Sequence, residues 1–315
     1  MRNKSNLIHA FAFSLITVVF GVSFDAWWHV SEGRETFFAL PHLFIYGGVS
    51  VSLSLSFLLM RKTHQRIWRK IFIALLGIPI TAPFDELWHR IIGIEHVENA
   101  SIVWSPPHML LFTAAILAVA LFIPIVKKDR DIVSNRVLGK LMLASLLSLV
   151  FIILVPLFPL GPHHLLGFWG AGVTAFLFTN AVLATVYLFP GIAAATIMAL
   201  FFIIFHIIFA DANINNPAAR IYGHIPNWLL ILSYIIPAIW IDLSKNRPII
   251  MRATTAAALW SIIFFGLANI YLESDFAYST INFYQALLSS LLAGTLSGIL
   301  FHYALGNMDG LKRKK

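Results

Sequence analysis

The sequence predicts an all-α polytopic membrane bundle of about ten transmembrane helices, and three observations predict it. The 315 residues are 59% hydrophobic and only 11% charged, with a mean hydropathy of +0.83. A soluble domain carries about 25% charged residues. Runs near 20 apolar residues recur along the whole chain, and that length spans a bilayer as a helix. The charges are also sorted between alternate loops. With the N-terminus placed inside, 19 of the 22 Lys and Arg fall on one side, and only Arg34, Arg90 and Arg220 on the other. Ten of the 14 Asp and Glu lie on that sparse side. This is the positive-inside bias, and it predicts both termini in the cytoplasm of a bacterial or archaeal cell membrane.

The elements follow in order. The first helix is expected over about 7–29 and the second over about 41–60, joined to the third by the basic loop from Arg61 to Arg66. The stretch 9–25 resembles a signal-peptide core, but it runs straight into Asp25 and His29 without a small-x-small cleavage site. Helix three, about 70–90, holds Pro79 and Pro83, so a kink is expected there. Helix four opens at Pro106-Pro107 and runs to about 126, before the basic loop 127–140. Helices five and six are expected over about 141–160 and 165–188, separated by Gly161-Pro162-His163-His164. The Pro190-Gly191 turn precedes helix seven, about 191–210, and the loop 211–225 precedes helix eight, about 226–242. Helices nine and ten are expected over about 253–272 and 282–304.

One stretch occurs twice. Phe24-Asp25-Ala26-Trp27-Trp28-His29 recurs sixty positions later as Phe84-Asp85-Glu86-Leu87-Trp88-His89. Gly33 matches Gly93 and Glu35 matches Glu95; Pro41-His42 is matched by Pro107-His108 after about six extra residues. This predicts a tandem parallel repeat of helical hairpins in helices one to four. Residues 1–126 form the duplicated two-hairpin unit, and 127–315 a six-helix C-terminal membrane half.

The repeat carries the chemistry. Residues four apart share one helix face, so Asp25 lies beside His29 and Asp85 beside His89. Each following Pro-His opens the next helix, where proline is tolerated, and the hairpin returns its histidine to the depth of the first pair. The expected metal ligands are Asp25, His29, His42, Asp85, His89 and His108, converging as one cluster. One carboxylate with two imidazoles suits copper, iron or zinc. The bland alternative is that these groups pair at the lipid interface, with Trp27, Trp28 and Trp88 as aromatic anchors. Against it stands the matched spacing in two copies, and the cost of an unpartnered carboxylate at a membrane helix end. There is no cysteine, so thiolate sites, disulfides and cysteine nucleophiles are excluded.

The first copy reads Asp25-x-x-Trp28-His29, then Arg34, Thr36 and Phe38, then His42-x-x-x-Tyr46. It resembles the copper-ligand segment in the membrane-embedded, copper-binding component of the particulate methane and ammonia monooxygenases, whose pattern is Asp-x3-His-x12-His. The resemblance covers about 25 residues of one hairpin. It implies copper on Asp25, His29 and His42 at the non-cytoplasmic face, and monooxygenase activity on a small apolar substrate. The chain departs from that pattern in its second Asp/His/His hairpin, with an x18 spacer, and in lacking the family's later Asn/His/His site.

The predicted function is therefore a copper- or iron-dependent membrane oxidoreductase of monooxygenase type. Its substrate would be small, apolar or lipid-borne, with membrane lipids around it and room for additional subunits or a homo-oligomer. Glu35, Glu86 and Glu95 are the candidate acid–base residues. Two alternatives stay open: a zinc-dependent membrane hydrolase, and a non-enzymatic metal-binding or transport subunit. His163, His164, His206 and Asp211 are further groups on the outer side. The basic excess sets orientation and meets anionic lipid, so no nucleic-acid partner is expected. No phosphate loop, dinucleotide fingerprint or nucleophile elbow occurs, which disfavours ATP-driven and Rossmann chemistry.

Overall fold

The computed structural model describes residues 2–31, 38–92, 105–128, 133–154, 166–210, 227–271 and 280–312. Among them there are ten α-helices and no strand. They are α1 (Arg2–Ser31), α2 (Leu40–Thr63), α3 (Arg66–Ile92), α4 (Pro106–Lys128), α5 (Val133–Leu154), α6 (Leu166–Leu188), α7 (Ala194–Ala210), α8 (Asn227–Leu243), α9 (Ile249–Tyr271) and α10 (Thr280–Lys312). Each matches one predicted apolar run.

Seven of the ten contain stretches long and apolar enough to cross a membrane: those of α1, α2, α3, α4, α6, α9 and α10. By that measure the chain is an integral membrane protein. Helices α7 and α8 are 17 residues each, short of the roughly 20 that a hydrocarbon core requires. Helix α5 has 22 residues but carries Arg136 and Lys140 in its first half.

Local signals explain the helix ends near the motif. Helix α2 has proline in its first turn, where the missing N–H costs nothing. It ends on Arg61 and Lys62, which complement the helix dipole, and on His64 in the left-handed conformation at φ 52°, whose N–H reaches the Met60 carbonyl at 3.1 Å. Helix α4 starts after Ser105, whose Oγ accepts the His108 N–H at 3.3 Å.

The chain divides into two compact units. The first comprises Met1–Leu157 with Ile204–Arg220. In it α1 packs on α2, α2 on α3 and α3 on α4, and α5 packs on both α1 and α4. Phe11, Trp68 and Phe122, from α1, α3 and α4, are fully buried, with ring centroids 5.0 to 6.1 Å apart. Phe11 and Trp68 lie in the N-terminal halves of their helices and Phe122 in the C-terminal half of α4. So α1 and α3 run the same way and α4 opposes them. Asp25 and Asp85, toward the C-terminal ends of α1 and α3, therefore sit at the same end of this unit.

The α1–α2 contact is unusually close at one point. A Cβ on Gly21 would lie 2.8 Å from both the Ile45 nitrogen and Ile45 Cγ1. Backbone cannot give way there, so glycine is required. Gly21→Val should destabilise the protein by about 1–3 kcal/mol through overpacking. Gly21 is one helical turn from Asp25, and Ile45 is three residues from His42. The same variant should therefore pry those two side chains apart, read as a lower thermal midpoint together with weaker metal retention.

The second unit comprises Phe158–Ile203 and Ile221–Lys315. Helix α10 packs on α9 and α6, and α9 also packs on α8. Polar pairs bridge its helices: Asn180 Nδ2 donates to Ser297 Oγ at 2.8 Å, and the Thr254 and Thr295 hydroxyls meet at 3.0 Å. Such bonds are worth making in an apolar layer because the alternative is an unpaired polar group. The first turn of α7 holds no acid of its own. Instead Asp242, near the end of α8, accepts hydrogen bonds from the N–H groups of Ala195 and Thr196 and from Thr196 Oγ1.

Candidate metal centre

Each hairpin closes one carboxylate on one imidazole. His42 Nε2 lies 3.1 Å from Asp25 Oδ1, and His108 Nε2 lies 3.2 Å from Asp85 Oδ1. The side chains are 16% and 18% exposed in the first pair, and 13% and 19% in the second. The two pairs thus agree in contact atoms, distance and burial, although the linkers joining their helices differ in length. The geometry is a product of local sequence. An aspartate near the end of an outgoing helix faces a histidine fixed in the first turn of the returning one. In the second hairpin Ser105 fastens that turn.

Donors bound to one ion at about 2.0–2.1 Å lie roughly 2.9–3.4 Å apart in octahedral to tetrahedral geometry. Both pairs already have that separation. Each offers one carboxylate oxygen and one imidazole nitrogen, a hard and an intermediate donor, and neither offers sulfur.

The backbone of His29 and His89 belongs to α1 and α3, but their side chains lie outside the described residues, so the expected third donor of each triplet does too. Among the described residues no three Asp, Glu or His side chains form a group able to hold one ion. The expectation of a single merged cluster is corrected accordingly: among the described residues Asp25, His42, Asp85 and His108 stand as two separate pairs. The reason is that each pair is closed within its own hairpin, and nothing in that closure draws the hairpins' ends together.

The candidate acid–base residues divide similarly. Glu86 is described, and its carboxylate accepts a hydrogen bond from Arg90 Nε at 2.8 Å along α3. An exposed i,i+4 pair of this kind contributes only about 0.3–0.5 kcal/mol. Glu35 and Glu95 lie outside the described residues, as do His163, His164 and Asp211 and the side chain of His206.

The walls beside the pairs differ. Around the first, Phe20, Phe24, Trp28 and Phe44 pack edge-on or tilted with centroids 5.3 to 6.2 Å apart. Tyr46 sets its ring 5.6 Å from the His42 imidazole at 34°. Around the second, Ile80 and Leu110 stand where Phe20 and Phe44 stand, and Phe112 stands where Tyr46 does. Phe112 is 6.4 Å from His108 at 60°. Sequence reasoning placed Tyr46 in the motif without seeing this difference. The unequal linkers hide the register in which 46 matches 112, which appears only when Pro41-His42 is laid on Pro107-His108.

No protein-family model, curated protein or solved structure gives a significant match to the chain.

Proposed function

We propose that the chain is a metal-dependent integral membrane oxidoreductase of monooxygenase type, built on a duplicated helical hairpin, in which each hairpin holds one divalent ion. The observation that carries this reading is the repeated Asp–His contact, Asp25 to His42 at 3.1 Å and Asp85 to His108 at 3.2 Å, at matched positions of two sequence copies. A lone interfacial ion pair needs no second copy; a duplicated ligand site does. His29 and His89, one helical turn beyond each aspartate, would complete the triplets.

Copper is the favoured ion because of the resemblance of the first hairpin to the copper-ligand segment; iron and zinc also accept this donor set. Glu35 and Glu95, at matched positions in the two linkers, are proposed to serve proton transfer. Glu86, tied to Arg90, is the weaker candidate. The bias of basic residues toward the opposite loops supports a non-cytoplasmic position for this end of the first unit. Exposed apolar side chains flank both pairs, among them Phe38, Leu40 and Leu43 at the first and Leu87, Ile91 and Leu110 at the second. In a membrane these would face lipid, so a small apolar substrate would arrive from the bilayer.

Elemental analysis of the purified full chain tests the reading. Copper or iron should be present and should fall in His29→Ala and His89→Ala. Stoichiometric zinc without either would move the protein to the hydrolase class. Imidazole must be neutral and carboxylate ionised to bind metal, so acidification releases the ion. Metal content should be constant near neutrality and fall below about pH 6, around the ordinary histidine range.

A further inference from the structure

The two hairpins match in their aspartate, histidine, proline and tryptophan, and differ at the ring beside the histidine. Tyr46 follows His42 by four residues, on the same face of α2. Helical side chains lean toward the helix N-terminus, so a residue at i+4 lies over the turn of residue i. The 5.6 Å ring separation and 34° tilt put Tyr46 there. Its counterpart Phe112 follows His108 by the same four residues and is 6% exposed. A phenol beside a ligand histidine offers a hydroxyl that can donate to or accept from a small polar ligand. Phenylalanine offers neither. The aromatic wall of Phe20, Phe24, Trp28 and Phe44 adds to the contrast, because Ile80 and Leu110 cannot rebuild it in the second hairpin.

We infer that the two sites are not interchangeable: the first accepts an exogenous small polar ligand next to the Tyr46 hydroxyl, and the second holds its ion without one. This rests on the metal-binding reading above. The first hairpin is then the one that meets the reactant, and Tyr46 is a ligand-selecting residue. The second hairpin keeps the same Asp–His clasp in a setting with no hydrogen-bonding side chain at that position.

The test uses the full chain in lipid nanodiscs, loaded with Cu(II). Copper content is measured first, and azide is then titrated by its charge-transfer absorption. His108→Ala leaves the first site, and His42→Ala leaves the second. The protein with the first site alone should bind azide at least about fivefold more tightly than the protein with the second alone, the worth of roughly one hydrogen bond. Tyr46→Phe, nearly isosteric, should abolish that advantage in the His108→Ala background. Phe112→Tyr should confer it in the His42→Ala background. Equal azide affinity in the two single-site proteins, or no effect of Tyr46→Phe with copper bound, would overturn the inference while leaving the metal sites standing. Absence of bound copper in the wild-type chain would remove the metal-binding reading, and this inference with it.

Discussion

Asp25→Ala is expected to strip one metal ion from the protein and leave the other in place, and Asp85→Ala to do the converse. The argument is geometric. Each aspartate meets the histidine of its own hairpin, at 3.1 Å or 3.2 Å, and the two pairs form separate groups among the described residues. Losing a carboxylate donor removes both a bond and the negative charge that offsets a dication in a poorly solvated layer. Even the outer partners of metal ligands are worth about 10–100-fold in affinity, so a direct donor should cost at least that. His42→Ala and His108→Ala should behave like the aspartate of the same hairpin. Elemental stoichiometry reads the result directly. Loss of both ions from a single substitution would mean that the two pairs share one centre.

Asp242→Ala is expected to be the most damaging single change in the second unit. Its carboxylate collects three hydrogen bonds from the start of α7: Ala195 N–H at 3.1 Å, Thr196 N–H at 2.9 Å and Thr196 Oγ1 at 2.8 Å. The N-terminus of a helix leaves its first N–H groups without intrahelical partners, and the dipole there favours an anion. The chain enters α7 through Ala193 at φ 50°, a left-handed conformation unfavourable for alanine, so that entry needs an external hold. Bonds to a charged acceptor contribute about 1.5–3 kcal/mol each. Because Asp242 is only half-buried and water replaces part of the loss, a net cost of about 2–4 kcal/mol is expected. Thermal unfolding in detergent should show a clear drop in midpoint for Asp242→Ala and a smaller one for Asp242→Asn, which keeps one acceptor oxygen. An unchanged midpoint in Asp242→Ala would show that α7 is held by other means.

These two sites also mark what a linear reading of the chain reaches. The helices were legible because apolar runs of membrane length have few other outcomes. The Asp25–His42 and Asp85–His108 contacts were legible because a hairpin makes them local: an aspartate ends one helix and a Pro-His starts the next. The pair Glu86–Arg90 was equally local, four residues apart on one helix. By contrast, Asp242 meets residues 46 and 47 positions away. No pattern in α8 announces that it serves the start of α7. Likewise the buried Arg252, which donates from Nη2 to the Ile241 carbonyl at 2.8 Å, reads in sequence as one more loop cation. Gly21 looks like any small residue in a membrane helix until Ile45 is placed against it. The separation of the donors into two pairs was also beyond the sequence, because it depends on how the two hairpins meet and not on either one.

The central claim is that these two Asp–His pairs hold metal through imidazole nitrogen, and pulsed electron paramagnetic resonance of the Cu(II)-loaded full chain tests it most directly. Wild-type protein should show imidazole nitrogen coupled to copper. The signal should persist when either His42 or His108 is replaced by alanine, and should lose its specific component when both are replaced. Copper bound without coupled imidazole, or coupling unchanged in the double variant, would contradict the account.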